Sequence, residues 1–122
     1  MLPHMSAVLS KWSPFVLSFA VDCLFFINLC AWIFKCGCYS LWAGADVACN
    51  IHMALGKHCP LCAHGWLGQA LVLIAIMVPQ FLVSLRTPWT WIFRMLAAFA
   101  LFPVVEGLAA LVLRLWDGYW TN

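Results

Sequence analysis

FVLSFAVDCLFFINLCAWIF, residues 15–34, carries a single charge, Asp22. Twenty residues as a helix measure about 30 Å, the thickness of a hydrocarbon core. Pro14 suits the first turn of such a helix. The run ends in Ala31-Trp32-Ile33-Phe34, without a small-residue cleavage site, so it is expected to be retained as a signal anchor. Two further stretches read the same way: Trp66 to Leu85, with Pro79 inside, and Trp91 to Trp116, slightly long and so expected to tilt.

The rest of the composition agrees. Hydrophobic residues make up 66% of the chain and charged residues 8%, with a mean hydropathy of +1.00. A soluble chain of 122 residues has too much surface for its volume to hide that much apolar material. The expected class is an all-α integral membrane protein. Three transmembrane helices, about 15–34, 66–85 and 91–116, form an up-down-up bundle over a single unit, 1–122. One long Cys/His-rich loop, 35–65, joins helices 1 and 2. The lipid bilayer is the expected partner, with assembly into a homo-oligomer or a larger membrane complex, and the bacterial inner (cytoplasmic) membrane is the expected location. A net charge of +2 with scattered Lys and Arg argues against nucleic acid and against a polybasic lipid patch. Lys11, Arg86 and Arg94 fall on one side and Lys35, Lys57 and Arg114 on the other, so the positive-inside rule gives no orientation. Trp89 and Trp91 at one end, with Trp116, Tyr119 and Trp120 at the other, read as interfacial belts.

Helix rise places the intramembrane polar residues in two layers. From the Arg86 side, Asp22, Gln80 and Arg94 fall about 5–10 Å deep, and Asn28, Glu106 and Gln69 about 20–24 Å deep. Interhelical hydrogen bonding is one expectation for them, with Arg94 partnering Asp22. A polar route beneath the loop is the other, with Glu106 as its functional carboxylate. Cys23 and Cys30 share a face of the first helix and read as small packing residues.

The loop holds the chemistry. It contains Cys36, Cys38, Cys49, Cys59 and Cys62 together with His52, His58 and His64. Cys36-x-Cys38 and Cys59-x-x-Cys62 are two short chelating turns of the kind that close a tetrahedral sulfur site around zinc. The histidines offer nitrogen ligands, and Met53 a thioether suited to Cu(I). Between the two turns, Leu41 to Leu55 reads as a short interfacial helix. It would place Asp46 and Asn50 towards water, and Cys49 and His52 on a common face. A c-type haem is excluded because Ala63 separates Cys62 from His64.

Cys59-Pro60-Leu61-Cys62 opening a membrane helix resembles the quinone-linked disulfide-forming membrane proteins. That resemblance implies thiol–disulfide exchange at Cys59 and Cys62 with a quinone as cofactor, helped by a helix N-terminus that lowers a thiol pKa. The family has four spans and usually an arginine shortly after its second cysteine. Here the stretch reads Ala63-His64-Gly65-Trp66. Small mercury-transport membrane proteins are similar in having few spans and cysteine pairs. The expected function is binding of a thiophilic transition metal, zinc, copper or mercury, for handling, transport or loop folding. Membrane redox chemistry, or an accessory subunit with loop disulfides, is the alternative.

Overall fold

The computed structural model describes residues 3–118. Among them there is no strand. α1 spans Pro3–Phe34 and α2 is a single turn, Pro60–Ala63. α3 spans Gly65–Arg86 and α4 spans Trp91–Asp117. α1, α3 and α4 are long and apolar enough to cross a membrane. Their outer surfaces are lined by exposed large side chains such as Val16, Leu24, Leu71, Val78, Leu96 and Val112.

α1 starts well before residue 15, so Pro14 lies inside the helix rather than in its first turn. A proline there has no N–H for the carbonyl four residues back. The Ser13 hydroxyl donates to that carbonyl, Ser10 O, at 3.5 Å. Such local repair is how membrane helices tolerate proline.

The buried residues of α1 are Pro14, Ser18, Asp22, Phe26, Cys30 and Phe34, spaced four apart. In α3 they are Ile76, Gln80 and Ser84, and in α4 Met95, Ala98, Phe102, Glu106 and Ala110. A spacing of four overshoots the 3.6-residue turn, so each contact stripe winds round its helix. The same stripes favour packing of one i±4 ridge into another.

Near one end of the helices, the Trp91 indole donates to Ser13 Oγ at 2.7 Å, and Arg94 donates to the Ser84 carbonyl at 2.8 Å. Near the other, Lys57 donates to the Gly118 carbonyl at 2.9 Å and His64 lies 3.2 Å from Asp117. Arg94 is therefore turned to a backbone carbonyl and is not the hydrogen-bond partner expected for Asp22. Gln80 takes that role, donating to Asp22 Oδ1 at 3.2 Å and to the Ala98 carbonyl at 2.9 Å. Trp89, Trp91 and Trp116 are exposed. Tyr119 and Trp120 lie outside the described residues.

The interfacial helix over Leu41–Leu55 does not form. Two 3₁₀ turns, Leu41–Ala43 and Asn50–His52, stand in its place. Gly44 and Ala45 both take positive φ, 116° and 51°, which breaks any helix between them. Asp46 and Asn50 consequently part company: Asp46 is exposed, and Asn50 turns inward to accept the Cys59 N–H at 2.7 Å.

Candidate metal centre

The loop folds back on the end of α1 because of a few backbone constraints. Lys35 ends the helix in a left-handed conformation, φ 51°, and Gly37 follows at φ 83°. A Cβ on Gly37 would stand 2.9 Å from the Ala48 carbonyl oxygen, so only glycine lets these two segments approach. The turn brings Cys36 Sγ and Cys38 Sγ to 3.4 Å. Asn50 then pins the loop. Its backbone N–H donates to the Cys36 carbonyl at 2.8 Å, while its side-chain oxygen takes the Cys59 N–H. Cys59 in turn caps α2, its carbonyl accepting the Ala63 N–H at 2.8 Å.

Cys49 Sγ lies 3.8 Å from Cys62 Sγ, and Cys30 Sγ lies 3.8 Å from Cys59 Sγ. Two groups of three sulfurs each lie within 4.8 Å of one another: Cys30, Cys36 and Cys59, and Cys36, Cys38 and Cys49. Cys62 faces Cys30, Cys59 and Cys49. Six sulfurs therefore form one cluster, and Cys30, Cys36, Cys49 and Cys59 within it are buried. Either group of three could hold a metal ion. All seven cysteines are free thiols.

Metal–sulfur bonds of about 2.3 Å directed to the corners of a tetrahedron put sulfurs about 3.8 Å apart. A disulfide would need about 2.05 Å. The two 3.8 Å separations match such an edge and are far too long for a disulfide, and they are equally the contact distance of two hydrogen-bonded thiols. Comparison with protein-family models, curated proteins and solved structures gives no match. The chemistry rests on the site itself.

The thiols outside the three long helices are uneven in acidity. Hydrogen bonds from Cys30 and then Cys59 hold the Cys62 thiol down at about 5. Hydrogen bonds from Cys30 and Cys36 lower Cys59. Burial, reinforced by hydrogen bonds with Cys49 and Cys36, raises Cys38. The acidity of Cys62 thus comes from neighbouring thiols that stabilise its thiolate, rather than from a helix N-terminus. α2 is one turn long, and His64 separates it from α3, which opens on Gly65 at φ 65°.

The three loop histidines are placed elsewhere. His52 faces Asp46 at 3.6 Å, His58 bonds the Met53 carbonyl at 2.9 Å and His64 bonds Asp117. All three are exposed, as is Met53. Cys49 and His52 do not share a face: one is buried among sulfurs and the other is in solvent. Cys30, read from the sequence as a packing residue, belongs to the cluster. The signal for it is position, since it sits one turn before the end of α1, within reach of whatever covers that end. Cys23 is exposed and remains outside.

A cavity of about 210 Å³ opens beside three of the sulfurs, Cys30, Cys38 and Cys62, with Asp46 and Gln69 on its wall. Asn28 donates to Ser40 Oγ at 2.8 Å and so helps anchor the loop. Glu106 is buried and neither carboxyl oxygen has a hydrogen-bond partner. The deeper layer of Asn28, Gln69 and Glu106 thus divides, two members serving the loop and its cavity and one facing the helix bundle.

Proposed function

We propose that this chain is an integral membrane protein that crosses the bilayer three times, up, down and up, and binds a thiophilic transition metal ion through thiolates at one end of its bundle. The observation that carries the reading is the gathering of five sulfurs, all but Cys38 buried, into two groups of three that share Cys36, the sulfurs of each group lying within 4.8 Å of one another. The all-sulfur surroundings favour soft ions such as zinc, Cu(I) or mercury over calcium or magnesium. The ion would tie a loop with little apolar core to the end of α1. Tight structural zinc supplies on the order of 10 kcal/mol of folding free energy in small domains. The cavity lined by Asp46 and Gln69 gives an ion a way in. Handling or transport, with onward passage to Glu106, draws support from the two unpartnered oxygens of that buried carboxyl.

The test is metal analysis of the detergent-purified protein beside a free-thiol count. Bound metal with seven reduced thiols is expected. No metal together with fewer free thiols would sink the reading in favour of thiol–disulfide exchange. One observation favours that alternative: the Cys62 thiol is held down at about 5, and its chain neighbour Leu61 lines an apolar groove of about 530 Å³ together with His64, Val112 and Trp116. For the crossing pattern, reporters fused to the two ends are expected in opposite compartments.

A further inference from the structure

Each cysteine of the Cys59-x-x-Cys62 motif has a sulfur partner outside the motif. Cys59 Sγ lies 3.8 Å from Cys30 Sγ on α1, and Cys62 Sγ lies 3.8 Å from Cys49 Sγ in the loop. The second pairing is held by a clasp. Asn50, next in the chain to Cys49, takes the Cys59 N–H at 2.7 Å, which lays the Cys49 segment against the turn that carries Cys62. Each pair exceeds the length of a disulfide bond by about 1.8 Å, a gap that rotation of the two side chains about χ1 can close. The cavity of about 210 Å³ is lined by Cys30 and Cys62, one member of each pair, so a small reagent inside it reaches both pairs.

We propose that Cys30–Cys59 and Cys49–Cys62 are two disulfide-forming pairs, closed by a small-molecule disulfide, and that their closure releases the bound metal ion. The release rests on the metal-binding reading above; the pairing does not.

Each closure is a two-electron oxidation of the pair. One cysteine sulfur attacks the small disulfide, forming a mixed disulfide and expelling one small thiol. The partner sulfur attacks the cysteine side of that bond, forming the Sγ–Sγ bond and expelling the second small thiol. The small disulfide is reduced to two thiols, which carry away the two protons of the pair, and a zinc ion keeps its oxidation state. Bond formation takes Cys30 and Cys59 from one group of three sulfurs and Cys49 from the other. The thiolate is the metal ligand, so neither group keeps its three donors. The same two bonds join α1 to the turn before α3, and the loop to that turn. The loop therefore stays fastened as the ion leaves. Cys36 and Cys38, at 3.4 Å, remain thiols, because a ring closed across a single residue is stiff.

The experiment treats the reduced, zinc-loaded full chain in detergent, and a metal-free sample of it, with hydroxyethyl disulfide. Remaining thiols are alkylated, linked peptides are mapped by mass spectrometry and released zinc is read with a chromophoric chelator. Expected are Cys30–Cys59 and Cys49–Cys62 links in both samples, loss of zinc from the first, and alkylated Cys23, Cys36 and Cys38. Cys49→Ser should keep the Cys30–Cys59 link and leave Cys62 joined to no other cysteine. A predominant Cys59–Cys62 link, or no link between cysteines, overturns the proposal and leaves the metal-binding reading standing where zinc was bound at the start. Both expected links with zinc still held overturn the release. A chain that takes up no zinc but forms both links removes the metal-binding reading, and the release with it, and supports the pairing. The map on the unsubstituted chain decides the matter even where a variant fails to fold.

Discussion

Cys30 and Cys59 stand 3.8 Å apart, sulfur to sulfur, although 29 residues separate them in the chain. One belongs to a helix long and apolar enough to cross a membrane, and the other caps the turn that leads into α3. Their approach makes the end of α1 part of the cysteine site. A ligand on a long helix is held by the whole helix, whereas a ligand on a loop is held by the loop alone. Cys30 is thus the best-anchored sulfur of the cluster.

That placement predicts how cysteine variants divide. Removing a group that merely orients a ligand typically costs about 10–100-fold in metal affinity. Removing the sulfur itself should cost about 100-fold or more at the ion it serves. Cys30→Ser and Cys59→Ser are expected to weaken the same ion alike, and Cys23→Ser to leave affinity unchanged. Competition titration with a chromophoric chelator measures this. Equal behaviour of Cys23→Ser and Cys30→Ser would contradict the assignment of Cys30.

The helices were legible because hydrophobic length alone identifies them. The two cysteine turns were legible because their spacing is local. The hidden parts depend on contacts between segments distant in sequence. Nothing near Cys30 marks it as different from Cys23. Only the return of the loop over the end of α1 separates them. The histidines misled for the converse reason: their spacing suits metal binding, but Asp46, the Met53 carbonyl and Asp117 engage them outside the cluster. The surface helix failed because its apolar pattern gave no weight to two consecutive positive-φ residues, Gly44 and Ala45.

Gly37 supplies a second prediction. Gly37→Ala would place a side chain at φ 83° and a Cβ 2.9 Å from the Ala48 carbonyl oxygen. Left-handed backbone alone costs a non-glycine residue about 1–2 kcal/mol. That corresponds to about a tenfold loss of affinity if the strain is relieved by opening the Cys36–Cys38 turn. Gly107→Ala, where an added Cβ meets nothing within 4 Å, is the control and should bind metal as before. Zinc affinities of the two variants compare them directly.

Protons and metal compete for the same thiolates, so affinity should fall as pH falls. The sign follows from the free protein. Cys62, held at about 5, is already a thiolate at neutral pH and gives up no proton on binding. Cys38, raised by burial, must lose one. Lowering the pH therefore weakens binding first through Cys38, and below about 5 Cys62 begins to add its own proton. Cadmium titrations across a pH series should show affinity falling with acidification and a slope that steepens towards the acid end. A pH-independent affinity from neutral pH down to 5 would rule thiolates out as the ligands.

Gln80 should matter to the bundle and not to the metal. Its amide donates to Asp22 from α3 and to the Ala98 carbonyl of α4, so one side chain joins all three long helices. Asp22 Oδ2 has no hydrogen-bond partner, which leaves Gln80 as the group that satisfies this carboxyl. Gln80→Leu keeps much of the volume and removes both hydrogen bonds. Leaving a buried polar group unsatisfied costs about 1–3 kcal/mol, against the smaller average of about 0.6 kcal/mol for hydrogen bonds between membrane helices. The loss falls on the Asp22 carboxyl, because the Ala98 carbonyl lies inside α4 and keeps its helical hydrogen bond. Replacing both partners, Asp22→Leu with Gln80→Leu, should recover part of the loss, since no buried carboxyl is then left unpaired. Reversible unfolding in detergent or bicelles measures all three stabilities, with metal content followed in parallel. Unchanged stability of Gln80→Leu, or loss of metal from it, would show that this hydrogen bond does not act as a separate clasp on the helices.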